Sequence, residues 1–210
     1  MLNQITEYFY TDFGSYIKYV GEHVGISIEA LIIALIIGVP AGYLCFKHRI
    51  LKKYIIFIAQ GLRVIPSLAV LFILIPLVGV SKLPALIALV FLAIPPILIN
   101  TNLGLEEIPG VYIESAYGMG MDNKMMLRKI LFPLALPYIL TGVRLALVEI
   151  IASATLAAYI GAGGLGSLII TGLGLYRMDL LIIGGGSVAI LSMLTMIIFD
   201  LTAPKSYERV

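Results

Sequence analysis

Five apolar runs constrain this chain more than any other feature. The first extends from about Val24 to Phe46. The second lies within Tyr54–Val80, with its most apolar part after Pro66. The third runs from about Ala85 to Leu103, the fourth from about Leu134 to Ile160, and the fifth from about Leu180 to Leu201. A bilayer core is crossed by about 20 helical residues. Lipid offers no partner to an open backbone, so each run must satisfy its own amides and become a helix. The expected fold is all-α, a polytopic membrane protein with five transmembrane helices. Composition agrees, with 60% hydrophobic and 12% charged residues among 210, against roughly 45–50% and about 25% in soluble domains. The mean hydropathy is +1.06.

Other classes fall away on the same evidence. A net charge of +2 is too small to suggest a nucleic-acid partner. One cysteine, Cys45, excludes an intramolecular disulfide and a Cys-based metal site, and its apolar setting suits plain packing. The first 20 residues hold Glu7 and Asp12, no basic residue before Lys18, and no apolar core, so they do not read as a cleaved signal. Residues 1–22, with "ITEYFYTDFGSYIKYV", are too polar to span and rich in Tyr and Phe. They read as an interfacial segment at headgroup depth.

Basic residues set the expected orientation. Lys47, Arg49, Lys52, Lys53 and Arg63 follow the first span, Lys124, Arg128 and Lys129 follow the third, and Lys205 and Arg209 follow the fifth. The other side has Lys18, Lys82 and Arg177, while Arg144 lies within span four. The positive-inside rule then puts the N-terminus outside and the C-terminus in the cytoplasm, a parity that five spans satisfy. Pro40, Pro66, Pro76, Pro95 and Pro96 predict kinks. Gly38 and Gly42 in "GVPAG", and Gly184 to Gly186, predict close helix approach. That approach serves either static packing or helices that rock against each other.

Between spans three and four the apolar text stops for "ESAYGMGMDNKMMLRKILFP", Glu114 to Pro133. Its spacing predicts two short helices. The first carries Glu114, Ala116 and Gly118 and ends at Gly120. Asp122 caps the second, which runs to about Leu131. Met126 with Ile130, and Leu127 with Leu131, form i, i+4 apolar pairs there. Pro133 is expected to reset the chain before span four. A helix pair with a small-residue face suits docking into a partner's groove, and an amphipathic loop lying on the membrane is the other reading.

This stretch resembles the EAA loop of permeases in binding-protein-dependent ABC importers. That pattern is Glu-Ala-Ala, three residues, Gly, nine residues, Ile, one residue, Leu, Pro. Here Glu114, Ser115, Ala116, Gly120, Ile130 and Pro133 keep the spacing, with Ser115 for Ala and Phe132 for Leu. Residues 61–74, "GLRVIPSLAVLFIL", and 142–169, "GVRLALVEIIASATLAAYIGAGGLGSLI", extend the similarity to the permeases of osmoprotectant importers, which carry glycine betaine, carnitine, choline or related quaternary amines. Methionine-type permeases share a short Gly-rich turn, so an importer of methionine or another small amine is the alternative.

The resemblance implies that residues 1–210 form one importer transmembrane domain, with 105–133 as a cytoplasmic coupling loop. It implies that Glu114, Ser115, Ala116, Gly120, Met121, Ile130 and Pro133 couple the chain to an ATPase. It implies a second permease subunit (the same chain or a paralogue), a cytoplasmic ABC ATPase dimer, an extracytoplasmic solute-binding protein, and a bacterial cell membrane. The chain lacks the P-loop pattern G-x-x-x-x-G-K-[ST]. No cofactor is therefore expected on it, and ATP with Mg is expected on the partner. The ending "APKSYERV" leads to the expectation of a separate binding protein.

Remaining signals are weaker. "GAGGLG", 161–166, matches G-x-G-x-x-G but follows a span, so it reads as an outer turn or gate edge and not as a nucleotide site. His23 and His48 are far apart, and the Met cluster at 119–126 suits adaptable docking contacts. No metal site and no catalytic residue is expected. Glu149 lies inside span four, where a carboxylate costs about 2.5–3.5 kcal/mol. It is either structural, neutral or paired with another helix, or it lines the substrate path. Arg144, about 140° away round the helix, is a poor same-face partner. Ser67, Asn100 and Ser153 are the other path candidates. A membrane enzyme would need more catalytic types on one face than Glu149 and Arg144 offer. In an assembly protein the EAA spacing would be chance.

Overall fold

The computed structural model describes residues 2–202, all of them in helices or their connections. The elements are α1 (Leu2–Thr11), α2 (Phe13–Lys47), α3 (Arg49–Val64), α4 (Ser67–Val78), α5 (Lys82–Glu106), α6 (Gly110–Gly118), α7 (Asn123–Met126), a π-helical turn (Leu127–Leu131), α8 (Phe132–Ser153), a 3-10 segment (Ala154–Ile160), α9 (Gly166–Gly174) and α10 (Met178–Thr202). Among the described residues four continuous helices are long and apolar enough to span: Phe13–Lys47, Lys82–Glu106, Asn123–Ile160 and Met178–Leu201. The pair α3 and α4, bent by 92°, makes a fifth if counted as one broken span. Lys205 and Arg209 lie outside the described residues.

The first span begins well before Val24. Phe13 to Glu22, expected at the interface, form one helix with it, and the chain bends at Asp12 between α1 and α2. At 1.5 Å per residue the 35 residues of α2 extend about 52 Å. The aromatic segment packs by particular contacts. Tyr8 is buried with Leu180 and Ile183 of α10, Tyr16 Oη lies 2.9 Å from Ser187 Oγ, and the Phe9 and Tyr16 rings meet edge to face at 5.1 Å.

The core is the triple contact of α2, α5 and α8. Ala30, Ala34, Ala93 and Ala146 have no exposed surface, and Ile97 and Ile150 fill the space between them. Small residues set the spacing, because apolar helices in lipid gain most from close van der Waals packing. A Cβ on Gly42 would lie 2.6 Å from Thr101 Cβ. A Cβ on Gly142 would lie 2.8 Å from the Pro96 carbonyl. Of the three consecutive glycines in α10 only Gly184 meets a neighbour, Leu168 and Ile169 of α9.

The break in the second span has a local cause. Pro66 offers no N–H and holds Ile65 in an extended conformation, φ −76° and ψ 120°, so the helix stops and restarts at Ser67. Another break, expected at Pro133, does not occur. The second short helix of the interruption continues into span four as one 38-residue helix, Asn123–Ile160. The π turn at Leu127–Leu131 widens the helix immediately before Pro133, which then sits in the first turn of α8, where its missing N–H costs little.

Near Glu22 the glycine turn is held by side chains. The Gly164 amide donates to Glu22 Oε2 at 2.9 Å. Buried His23 bonds the Ile151 carbonyl through Nε2, also at 2.9 Å, close to where α8 tightens into the 3-10 segment. Gly163 and Gly164 have φ of +80° and +82°, and a Cβ on Gly163 would overlap the Glu22 carboxylate. The G-x-G-x-x-G match is therefore a turn that follows a helix, without the strand that a dinucleotide site requires.

Candidate functional site

Two sites were expected, the interruption at 114–133 and a polar path. In the first, α6 ends in a Schellman turn. Gly120 has φ +75°, its amide donates to Tyr117 O at 2.9 Å, and the Met121 amide donates to Ala116 O at 3.0 Å. Ala116 is fully buried, and part-buried Met121 packs in the same cluster, the apolar contact that accompanies such a turn. The next helix starts where Asp122 Oδ1 accepts the Met125 amide at 2.6 Å. Tyr117 Oη donates to Asn123 Oδ1 at 3.0 Å and ties the two helices together.

The inner face of this element rests on the bundle. Ala116, Met126 and Leu131 join Leu105, Ala135 and Ile139 in one buried cluster. Across the π turn Met126 and Leu131, five residues apart, are buried in the same cluster; Leu127 and Ile130 are part-buried beside them. The outer face carries exposed Glu114, Ser115, Tyr117, Met119 and Met125. Pro133 is exposed at the start of α8.

The second site forms at the bend between α3 and α4. Arg63 Nη2 donates to Glu149 Oε1 at 2.9 Å, joining α3 to α8. The other carboxylate oxygen, Oε2, is shut off from solvent and has no hydrogen-bond partner. Ser67 lies four residues after Arg63 and Ser153 four after Glu149, and both serines line a small cavity with Leu71, Ala88 and Leu156. Ser67 also lines a second cavity of about 180 Å³, walled by Leu62, Ile65, Phe91 and Leu92.

Ser67 and Ser153 thus share a cavity, with Glu149 one helical turn before Ser153 on α8, while Asn100 does not join them. Its amide nitrogen donates to the Pro96 carbonyl of its own helix at 2.8 Å, and its Cβ packs where α8 approaches at Gly142. Arg63, counted near the start of span two with the basic cytoplasmic residues, is the partner of Glu149 of α8. The signal available was Pro66, which puts Arg63 in the last turn of α3, away from the loop at Lys52 and Lys53. Arg144 and Glu149 do turn to different helices, and Arg144 pairs with Asp200 of α10.

Comparison with known proteins follows this geometry. The model of the family "Binding-protein-dependent transport system inner membrane component" matches residues 33–206. The chain is 42% identical to the carnitine transport permease protein OpuCB of Listeria monocytogenes, over 82% of this chain and 79% of that one. It is 36% identical to the glycine betaine/carnitine/choline permease protein OpuCB of Bacillus subtilis, over 97% and 94%. A chain of the MetNI methionine ABC transporter, solved in inward-facing conformations, superimposes with a TM-score of 0.81 at 24% identity, covering 90% of this chain and 94% of that one.

Proposed function

This chain belongs to the family of binding-protein-dependent transport system inner membrane components, and we propose that it is the permease subunit of an ATP-driven importer of a small osmolyte or quaternary amine of the glycine betaine, carnitine and choline type. The observation that carries this reading is the turn at Gly120, which presents Glu114, Ser115 and Met119 on an exposed face while Ala116 is locked into the bundle. A surface built this way transmits force: its contacts face outward, and its back is continuous with span four.

In this mechanism two cytoplasmic ATPase subunits hold the coupling elements of two permease subunits. A solute-binding protein delivers its cargo at the opposite face. ATP and Mg stay on the ATPase, and this chain performs no covalent step. Because Asn123–Ile160 is one helix, displacement of α6 and α7 is transmitted along α8 to Glu149 and Ser153. A cavity of about 400 Å³ bounded by Val39, Tyr43, Thr101, Leu127, Arg128 and Phe132 gives the π turn space to shift. The N-terminus lies outside and the C-terminus in the cytoplasm of a bacterial cell membrane. The relatives at 36–42% identity support the quaternary-amine class over methionine.

The test is purification of the tagged chain, followed by titration of the co-purifying solute-binding protein with glycine betaine, carnitine, choline and methionine. An ATPase should accompany the chain, and a quaternary amine should bind. Recovery of the intact chain without an ATPase, or binding of methionine alone, contradicts the reading.

A further inference from the structure

We propose that the Arg63–Glu149 pair is a station for the transported solute inside the membrane, built for a zwitterion whose two charged ends take over the two halves of the pair. This rests on the importer reading above and specifies its substrate as a compound bearing both an ammonium group and a carboxylate.

Four features of the site support it. First, the pair is incomplete. An ionised carboxylate accepts at both oxygens, yet only Oε1 of Glu149 is engaged, while Oε2 is shielded from water without a partner. Second, this chain does not enclose the pair, since 47% of the Arg63 side chain and 30% of the Glu149 side chain are left uncovered by it. Third, Ser67, just past the break after Arg63, and Ser153, one helical turn after Glu149, add hydroxyls to a small common cavity. Fourth, the adjoining 180 Å³ cavity is walled by Leu62, Ile65, Phe91 and Leu92. A quaternary nitrogen has no N–H to donate, so charge, apolar contact and an aromatic ring are what hold it.

The interrupted span supports the assignment of ends. The helix stops after Val64 and restarts at Ser67. Broken membrane helices recur at transport sites, with the start of one half turned to an anionic group. Arg63 and the start of α4 are therefore the side for the solute carboxylate, and Glu149 is the side for the ammonium group. The exchange keeps charge balanced throughout. When the ammonium displaces Arg63 from Glu149, the solute carboxylate meets the released guanidinium, so neither side chain is left as a lone charge at membrane depth. A purely cationic solute would leave Arg63 unpaired and is disfavoured.

The test uses the assembled complex with its ATPase and solute-binding protein in proteoliposomes, with glycine betaine, carnitine and choline as probes. Replacing both partners of a polar pair with neutral groups of similar shape leaves a structural contact nearly unharmed. The double variant Arg63→Gln, Glu149→Gln should therefore assemble normally and bind its ATPase. Its zwitterion uptake per assembled complex should fall about tenfold or more, the scale of one charge-assisted contact. In a Cys45→Ala, Ser153→Cys background the zwitterion should slow thiol labelling with the native pair and lose that effect in the double variant. Uptake by the double variant within about twofold of the parent overturns the station, leaving the pair structural. If the double variant fails to assemble, Glu149→Gln alone decides by the same thresholds. A parent complex that moves choline but no zwitterion overturns the inference and spares the importer reading. A parent that moves no quaternary amine overturns both.

Discussion

The Met121 amide reaches back 3.0 Å to the carbonyl of Ala116, and that bond closes the turn in which Gly120 holds φ at +75°. Left-handed backbone is open to glycine and tolerable for asparagine, and it strains a β-branched side chain by about 1–3 kcal/mol. No atom lies within 4 Å of a Cβ built on Gly120, so the strain is conformational and not steric. Gly120→Val should therefore weaken ATPase co-purification and uptake while the chain still inserts, and Gly120→Asn should retain most of both. Equal behaviour of Val and Asn would remove the turn from the coupling account.

Asp122 makes a separate contribution to the same element. Its carboxylate accepts the Met125 amide, and losing such a cap costs about 0.5–2 kcal/mol. Asp122→Ala should raise hydrogen exchange at residues 123–126 and leave that of α5 unchanged. Unchanged exchange at 123–126 would show that the buried Met126 and Leu131 hold the helix start without the cap.

These two positions were legible in the sequence because their causes are local. A glycine past a helix end and an aspartate before a helix start act on backbone groups a few residues away. Pro133 was misjudged by the same local logic, since a proline predicts a break unless the preceding turn widens, and the π turn at Leu127–Leu131 lies in no residue pattern. The partner of Glu149 was hidden for another reason. Arg63 lies 86 residues away, and only the folding of α3 against α8 brings them together. The positive-inside count uses only the sign of Arg63, near the start of span two, and says nothing of which helix it meets.

The contact of α2 with α5 should not tolerate volume. A Cβ at Gly42 would lie 2.6 Å from Thr101 Cβ and 2.7 Å from the Leu98 carbonyl. Overpacking of this kind costs about 1–3 kcal/mol, so Gly42→Val should lower the Tm of the detergent-solubilised complex by several degrees, at about 2–4 °C per kcal/mol. Gly21→Ala, on the same helix with nothing within 4 Å, should not lower the Tm and should raise it slightly, since alanine is the better helix former by about 0.5–1 kcal/mol. A Tm for Gly42→Val that does not fall below the parent would mean that the α2–α5 approach tolerates the added volume.

Orientation is testable with two exposed positions. The proposed topology puts Ser15, at the start of α2, outside and Lys124, in α7, in the cytoplasm. In a Cys45→Ala background an impermeant thiol reagent applied to intact cells should label Ser15→Cys and spare Lys124→Cys until the membrane is opened. Labelling of both in intact cells would contradict the topology.

The most direct measurement of the central claim is solute accumulation by the reconstituted complex, with its solute-binding protein outside and ATP enclosed with the ATPase domains. The account predicts ATP-dependent accumulation of a quaternary amine, abolished when the ATPase is omitted and unaffected by excess methionine. Accumulation of methionine without any quaternary amine, or uptake that persists without the ATPase, would contradict it.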